Sequence, residues 1–216
     1  MSHQPNLTDA TTVRDHWWWR PGWHLGQRGY TWHLTFTDEH DLARLARQYH
    51  QALANAPQVD PVPVRWLHLT MQNVGFVDDV TPAELEQITD AAREQLADVP
   101  PFTMTFHRPV LLPEAVALVP DPAEYVHQLR GTLRHAIAKV RGAERVPDPD
   151  NGYRAHLSVG YINADGPAEP LLHVLRNTTT TPATVTVHAA SLIELNRDQK
   201  VYRWRTVAQV PLGGTA

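Results

Sequence analysis

Two short segments of the sequence combine residue types that can move protons and bind phosphate. They are His68-Leu69-Thr70-Met71 and His156-Leu157-Ser158-Val159. In a β-strand, residues two apart lie on the same face, so each segment presents an imidazole beside a hydroxyl. The intervening apolar residues then face the core and hold the strand in place.

Two such pairs in one cleft are suited to breaking a phosphodiester bond. A neutral histidine can take a proton from the attacking oxygen, while a protonated one gives a proton to the leaving oxygen. The ordinary pKa of histidine, about 6.5, allows both roles. The hydroxyls of Thr70 and Ser158 can bind non-bridging phosphate oxygens. A single histidine in a chain that contains 13 is more often structural, but two equivalent copies favour catalytic roles for His68 and His156.

Other aromatic and histidine side chains are weaker candidates. A third copy of the pattern, His33-Leu34-Thr35-Phe36, precedes the duplicated units, so we expect it to be structural or at best part of the cleft wall. Trp66 shares the predicted face of the His68 strand and is a candidate for stacking on a nucleobase. Trp23, from the Trp-rich segment 17–23, is a second candidate. For most of that segment, packing of the N-terminus onto the sheet is the favoured interpretation.

Three further groups are expected to have no part in the chemistry. Strand alternation places Tyr161 in the core with Val159. Arg130 and Arg134 are four residues apart on a predicted helix, so we expect them on its solvated face. A basic hairpin near the C-terminus is expected to protect an exposed sheet edge, with the rim of an anion-binding cleft as the alternative. It contains Arg197, Lys200, Arg203 and Arg205.

The elements that would position the two motifs repeat along the chain. After a strand at 30–36, apolar periodicity predicts helix, strand, helix, strand, strand, and then the same order again. Thr81-Pro82-Ala83-Glu84 and Asp121-Pro122-Ala123-Glu124 are predicted as helix starts of one design. We therefore predict a duplicated, bilobal α+β fold, with two mostly antiparallel sheets facing a central cleft and helices on the outer faces. The helices are predicted at 39–55, from 81, from 121 and at 167–176, and the later strands at 64–71, 102–112, 115–119, 153–161, 183–195 and 201–210.

The composition is that of one globular domain and excludes several kinds of site. The chain has 216 residues, a formal net charge of −4 and no cysteine. A disulfide framework, a zinc–thiolate site and a cysteine nucleophile are therefore excluded, and a non-specific grip on duplex nucleic acid is disfavoured. Metal-binding, Walker and dinucleotide-binding motifs are absent, so we expect no metal and no other cofactor.

The N-terminal residues and the hydropathy pattern predict where the domain begins and in which cellular compartment the protein is found. Residues 1–16 are polar and aperiodic, which predicts a flexible arm before a single domain at 17–216. They lack the apolar stretch of a signal peptide, and no apolar run is long enough to span a membrane. We expect a monomeric cytoplasmic protein.

Residues 28–211 resemble the two-histidine phosphoesterases, which include proteins labelled RNA 2′,5′-ligase and 2′,3′-cyclic phosphodiesterase. The resemblance rests on the paired motifs that begin at His68 and His156 and on the helix-rich segments between them. It implies a bilobal fold, metal-free chemistry and a nucleotide or RNA-end substrate. It also implies that these two histidines are catalytic and that Thr70 and Ser158 contact the phosphate.

One position departs from the family pattern, and the reaction stays open. Relatives often have a proline where this chain has Ala155, whereas the preceding Arg154 fits their pattern. Strand alternation places Arg154 on the face of His156, so it is a candidate phosphate ligand, with an ordinary surface arginine as the alternative. The chain could open 2′,3′-cyclic phosphates or hydrolyse 2′-5′-linked nucleotides, ligate RNA ends by the reverse chemistry, or bind nucleotides or RNA ends without turnover.

Overall fold

The computed structural model describes residues 9–149 and 152–213 and shows a mixed α/β fold built on antiparallel strands. Its helices are α1 (His40–Ala52), α2 (Pro82–Leu96), α3 (Glu124–Arg141) and α4 (Glu169–Arg176). Its strands are β1 (Thr12–Val13), β2 (Gly29–Thr35), β3 (Val59–Pro61), β4 (His68–Phe76), β5 (Phe102–Leu112), β6 (Ala115–Asp121), β7 (Leu157–Ile162), β8 (Gly166–Pro167), β9 (Ala183–Val187), β10 (Ala189–Asn196) and β11 (Arg203–Pro211). Among the described residues, no helix is both long enough and apolar enough to cross a bilayer.

The main sheet consists of two four-stranded halves that meet in the middle. Its strand order is β11-β10-β2-β4-β7-β6-β5-β9, with β3 paired to β7. The halves are joined where Leu69 of β4 pairs with Leu157 of β7. Helices α2 and α3 pack on the first half, while α1 and α4 pack on the second. The predicted bilobal α+β fold with antiparallel halves is confirmed, and the two halves form one curled sheet.

Several helices and strands begin or end at residues other than those predicted from the periodicity of the sequence. Residues Val64–Trp66 form a 3₁₀ turn, so β4 begins at His68. The predicted strand at 153–161 likewise begins only at Leu157. The predicted strand at 183–195 is interrupted at His188 and contributes β9 to one half of the sheet and β10 to the other. Each motif histidine therefore lies at the very start of a strand or just before it.

The two predicted helix starts have different structures. At α2, Thr81 Oγ1 accepts a hydrogen bond from the Glu84 amide, and the Glu84 carboxylate accepts one from the Thr81 amide, so the predicted capping box is present. At α3 the cap residue is Ala123, which has no side-chain cap. The expectation of one common design is wrong here because Asp121 belongs to β6, where it pairs with Thr105.

The segment before the first long strand is attached to the body of the protein. Thr12 and Val13 pair with β8, and the amides of Arg14 and His16 donate to the carbonyls of Pro113 and Ile162, each at 2.8 Å. Residues 9–16, predicted as part of a flexible arm, are thus hydrogen-bonded through their backbone to β8, to the turn after β5 and to the end of β7. Residues 1–8 of the predicted arm lie outside the described residues.

Candidate active site

The two motifs meet at the junction between the halves of the sheet. Leu69 and Leu157 are fully buried and paired with each other. The histidines and hydroxyls on the opposite strand faces all line one cleft of about 660 Å³: His68, Thr70, His156 and Ser158. The structure thus brings together the four side chains that the sequence assigns to catalysis and phosphate binding.

Both motif histidines are oriented by the same backbone contact. His68 Nδ1 lies 2.8 Å from the carbonyl oxygen of Trp66, and His156 Nδ1 lies 2.8 Å from that of Arg154. A carbonyl oxygen only accepts, so each Nδ1 must carry the proton. In the neutral imidazole, Nε2 then has a free lone pair, and neither Nε2 has a hydrogen bond to any described residue. Each histidine is therefore in the tautomer that a general base requires.

Burial makes both imidazoles harder to protonate. His68 is 8% exposed, and this burial lowers its pKa to about 4, against the opposing effect of the hydrogen bond to Trp66. Positive charge on His156 or His16 lowers the pKa of His68 further. His156 is half-buried, and burial lowers its pKa too, opposed by the Arg154 carbonyl. His68 is therefore neutral near pH 7.

A β-bulge follows the hydroxyl residue in each motif. In β4, the register with β2 skips Met71 and then Val74, so that Thr70 pairs with His33 and Asn73 pairs with Thr31. In β7, the register with β6 skips Val159, so that Ala117 pairs with Ser158 and Val116 pairs with Gly160. A bulge shifts the alternation of side chains by one residue.

The bulges bring one additional side chain per motif into the cleft. They are Asn73 in β4 and Tyr161 in β7, each three residues after the hydroxyl. Tyr161 is buried, as expected, but it also lines the cleft, which uninterrupted alternation did not predict. Tyr161 stacks on His16, with ring centroids 4.2 Å apart.

The third copy of the pattern lies beside the first. The His33 ring stacks on that of His68, with centroids 4.3 Å and planes 5° apart. His33 Nε2 lies 3.3 Å from Thr70 Oγ1. His33 is 1% exposed, and burial followed by the charge of His68 lowers its pKa well below the usual value. His33 is thus a neutral wall residue that supports His68 and Thr70.

The two predicted stacking residues have different positions. Trp23 is half-buried and lines the cleft. Trp66 does not line it, because the 3₁₀ turn at Val64–Trp66 breaks the strand alternation on which the prediction depended. The Trp66 ring packs instead on Trp204, 4.6 Å between centroids, and Trp204 packs in turn on His68 at 5.2 Å. Trp66 therefore supports the site from behind.

The remaining predicted site residue and the Trp-rich segment lie at the edge of the cleft. Arg154 is exposed and lines the cleft, in addition to holding His156 through its carbonyl. Trp17 is buried and donates from Nε1 to Asp60 Oδ2 at 3.0 Å. This contact fits the packing interpretation of the segment.

Two helix arginines have a role that the sequence does not reveal. Arg130 is 2% exposed; its Nε donates to the carbonyl of Met71, at the bulge of β4, at 2.9 Å. Arg134 donates to the side chain of Gln72 at 2.8 Å and to carbonyls of the loop at 147–148. Their expected place on a solvated face is wrong, since α3 packs with this face against β4. Both arginines stabilise the strand that carries His68.

Arg197 is also buried rather than exposed at a sheet edge. It is 3% exposed and lines the cleft. One of its terminal nitrogens donates to the carbonyls of His16 and Trp18, at 3.1 and 3.2 Å. Arg197 therefore fits the alternative interpretation of the basic hairpin, in which it forms part of the cleft rim. Arg205 fits the favoured interpretation, because it is exposed and pairs with Glu194.

Within the described parts of the chain, no three histidine or carboxylate side chains come together as a set of metal ligands. The side chains that line the cleft can transfer protons and bind anions.

Comparisons with known proteins agree with this arrangement. A model of the 2′-5′ RNA ligase superfamily matches residues 39–199, which include both histidine motifs. The chain belongs to the 2′-5′ RNA ligase superfamily. No curated protein sequence matches the chain.

Solved structures of low sequence identity share the fold of this superfamily member. TT0787 of Thermus thermophilus has a TM-score of 0.65 and 17% identity, over 88% of this chain and 100% of that one. Apo LigT of E. coli has a TM-score of 0.61 and 15% identity, over 87% and 99% of the two chains. LigT complexed with 3′-AMP gives the same four values. The predicted place among the two-histidine phosphoesterases is confirmed.

The superfamily match does not include the first part of the cleft wall. It begins at residue 39, so β1, the Trp-rich segment and β2 precede it. Arg14, His16, Arg20 and Trp23 line the cleft from these preceding residues. These four residues of the cleft wall therefore lie outside the matched range.

Proposed function

We propose that this chain is a metal-independent phosphodiesterase that acts on 2′,3′-cyclic phosphates or 2′-5′-linked nucleotide ends. The observation that carries the proposal is the matched pair His68 and His156. Both have Nδ1 bound to a backbone carbonyl two residues earlier, and both have Nε2 free beside a hydroxyl in one cleft. A site that only binds nucleotides would need neither the shared tautomer nor two such groups.

The difference in burial between the two histidines supports different roles for them. His68, with its lowered pKa, is neutral and acts as the base. His156 is more accessible, and the negative charge of a bound phosphate raises its pKa and favours its protonated form. His156 therefore acts as the acid, and its charge keeps His68 neutral.

With a 2′,3′-cyclic phosphate, the step is a displacement at phosphorus by water. His68 Nε2 takes one proton from the water as its oxygen bonds to phosphorus. The bond from phosphorus to one ribose oxygen breaks, and His156 gives its proton to that oxygen. The hydroxyls of Thr70 and Ser158 donate to the non-bridging oxygens and hold the phosphate in line. The product is a nucleoside monophosphate, and proton exchange with water restores both histidines.

The named ligands of a structural relative support a nucleotide substrate. LigT of E. coli has been solved with 3′-AMP and with phosphate. Opening of adenosine 2′,3′-cyclic phosphate yields 2′-AMP or 3′-AMP, depending on which bond breaks. Ligation of RNA ends would be the same displacement with the 5′-hydroxyl of a second RNA end in place of water, and it requires the same acid and base.

The test is a substrate screen without added metal. We expect the purified chain to convert adenosine 2′,3′-cyclic phosphate to a monophosphate, and to cleave 2′-5′-linked but not 3′-5′-linked diadenosine. His68→Asn and His156→Asn should each reduce this turnover by at least about 100-fold, while the fold is retained in circular dichroism spectra. Product chromatography separates 2′-AMP from 3′-AMP and identifies the leaving oxygen. Undiminished turnover by both variants, or none by the wild type, would contradict the proposal.

A further inference from the structure

One side of the cleft concentrates positive charge apart from the catalytic histidines. Arg14 and Arg20 extend from the segment that precedes the superfamily match, and Arg197 follows β10. All three line the cleft. The only carboxylate among the cleft-lining residues that pairs with them is Glu114, so this side has two more positive than negative groups.

Glu114 orients two of these arginines. Its Oε1 accepts from Trp18 Nε1 at 3.1 Å and pairs with Arg14 at 2.8 Å. Its Oε2 pairs with Arg20 at 2.6 Å. Burial raises the pKa of Glu114, but the His16 ring 3.5 Å away, the hydrogen bond from Trp18 and the charge of Arg20 lower it well below its usual range. An ionised carboxylate shared by two guanidinium groups positions them without neutralising both.

Arg197 provides the observation that points to a ligand. Its Nη2 is bound to two backbone carbonyls, but its buried Nη1 has no hydrogen-bond partner among the described residues. Nor does any described carboxylate form an ion pair with Arg197. The faces of Trp17, Trp19 and Tyr202, 5.7–5.9 Å from the guanidinium carbon, offset part of the cost of burying this charge. They leave Nη1 without an acceptor, and a bound anion would supply both an acceptor and the counter-charge. The cleft, which Arg197 lines, is where such an anion can enter.

This arginine group is close to the catalytic histidines but separate from them. The guanidinium carbon of Arg197 lies 5.7 Å from the centre of the Tyr202 ring. The same tyrosine ring lies 5.9 Å from the His68 ring, and its hydroxyl is 2.9 Å from His16 Nε2. Tyr202 thus lies near both Arg197 and His68, and all three line one cleft that an extended ligand can occupy.

We propose that Arg20 and Arg197 form a second anion subsite, which binds a phosphate group of the substrate other than the one that reacts. The proposal rests on the proposed function in that both phosphates belong to one nucleotide. It narrows the substrate class to nucleotides or RNA ends that carry an additional phosphate. Arg14, whose side chain is 63% exposed, lies at the rim of this subsite.

The test compares two ligands that differ by one phosphate. Calorimetry at fixed ionic strength gives the affinities of 3′-AMP and adenosine 3′,5′-bisphosphate for the wild type. A charge-assisted contact with two arginines should make the bisphosphate bind roughly 10- to 100-fold more tightly. In Arg20→Gln, which keeps Arg197, this ratio of affinities should fall several-fold. Arg205→Gln, which removes an exposed arginine outside the cleft, should keep the wild-type ratio.

Arg20→Gln is the decisive variant because the Arg20 side chain is 35% exposed, so its loss should leave the fold intact. Arg197→Gln is added if it shows wild-type circular dichroism, and it should lower the same ratio. Equal affinity of the wild type for both ligands, or a ratio unchanged in Arg20→Gln, overturns the subsite. The measurement needs no turnover. A preference for the bisphosphate in a protein that leaves cyclic phosphates intact would support the subsite and reject only the proposed reaction.

Discussion

The neutral state of His68 can be tested without knowing the substrate, through the pH dependence of folding stability. Burial lowers the pKa of His68 to about 4 in the folded chain, whereas an unfolded histidine titrates at about 6.5. Between these values, the unfolded chain binds a proton that the folded chain does not. The free energy of unfolding therefore decreases as the pH falls from 6.5 towards 4, and His68 causes no further loss below that.

The size of the effect follows from the two pKa values. At pH 5, most unfolded molecules carry a proton on His68 and most folded molecules do not. The free energy of unfolding is therefore about 2 kcal/mol lower at pH 5 than at pH 7. For a chain of this length, that corresponds to a decrease in Tm of roughly 4–8 °C. In His68→Asn, this contribution is absent, while the asparagine amide can still donate to the Trp66 carbonyl.

The assay is urea unfolding at pH 7 and pH 5 for the wild type and His68→Asn. We expect the variant to lose about 2 kcal/mol less than the wild type on acidification. His135→Asn, which replaces an exposed histidine on α3, is the matched control and should behave as the wild type. If the wild type and His68→Asn lose equal stability, burial does not hold His68 neutral, and its assignment as the base is wrong.

Four further predictions concern turnover of the substrate identified in the screen. His68→Ala and His156→Ala should each reduce kcat by about 10²–10⁴-fold, with a double mutant far less than multiplicatively worse; His33→Ala should lose much less, and an equal loss would move the catalytic role to β2. Thr70→Ala and Ser158→Ala should each cost roughly 10- to 100-fold in kcat/KM, and full activity of either would remove that hydroxyl from the mechanism. The pH–rate profile should be bell-shaped, and each histidine variant should lose one limb. Activity should survive EDTA, because no set of metal ligands occurs among the described residues; loss that one divalent ion restores would refute metal independence.

Strand periodicity was sufficient to predict the centre of the site. The two-residue repeat correctly places His68 with Thr70 and His156 with Ser158, because these residues precede the bulges. The same repeat fails for Tyr161, which follows the bulge at Val159. A bulge depends on pairing with a neighbouring strand, and the local sequence carries no signal for it that we recognised.

The buried arginines show a second limit of sequence patterns. Arg130 and Arg197 are charged, and one lies at helical spacing from another arginine, which is typical of a solvated surface. Both are buried because they donate hydrogen bonds to backbone carbonyls that have no partner within a strand or helix. Such carbonyls belong to bulges and loops far away in the sequence. Their positions, and therefore the partners of these arginines, become known only from the fold.

The three copies of the histidine pattern show why the pattern alone does not define a catalytic group. His68 and His156 lie at strand starts, so the carbonyls two residues earlier, in a 3₁₀ turn and a loop, are free to bind Nδ1. His33 lies inside β2, which is paired on both edges. The backbone around it is engaged in the sheet, and its buried Nδ1 has no partner among the described residues. In this chain, the two copies at strand starts have a fixed tautomer with a free Nε2, whereas the copy inside a strand does not.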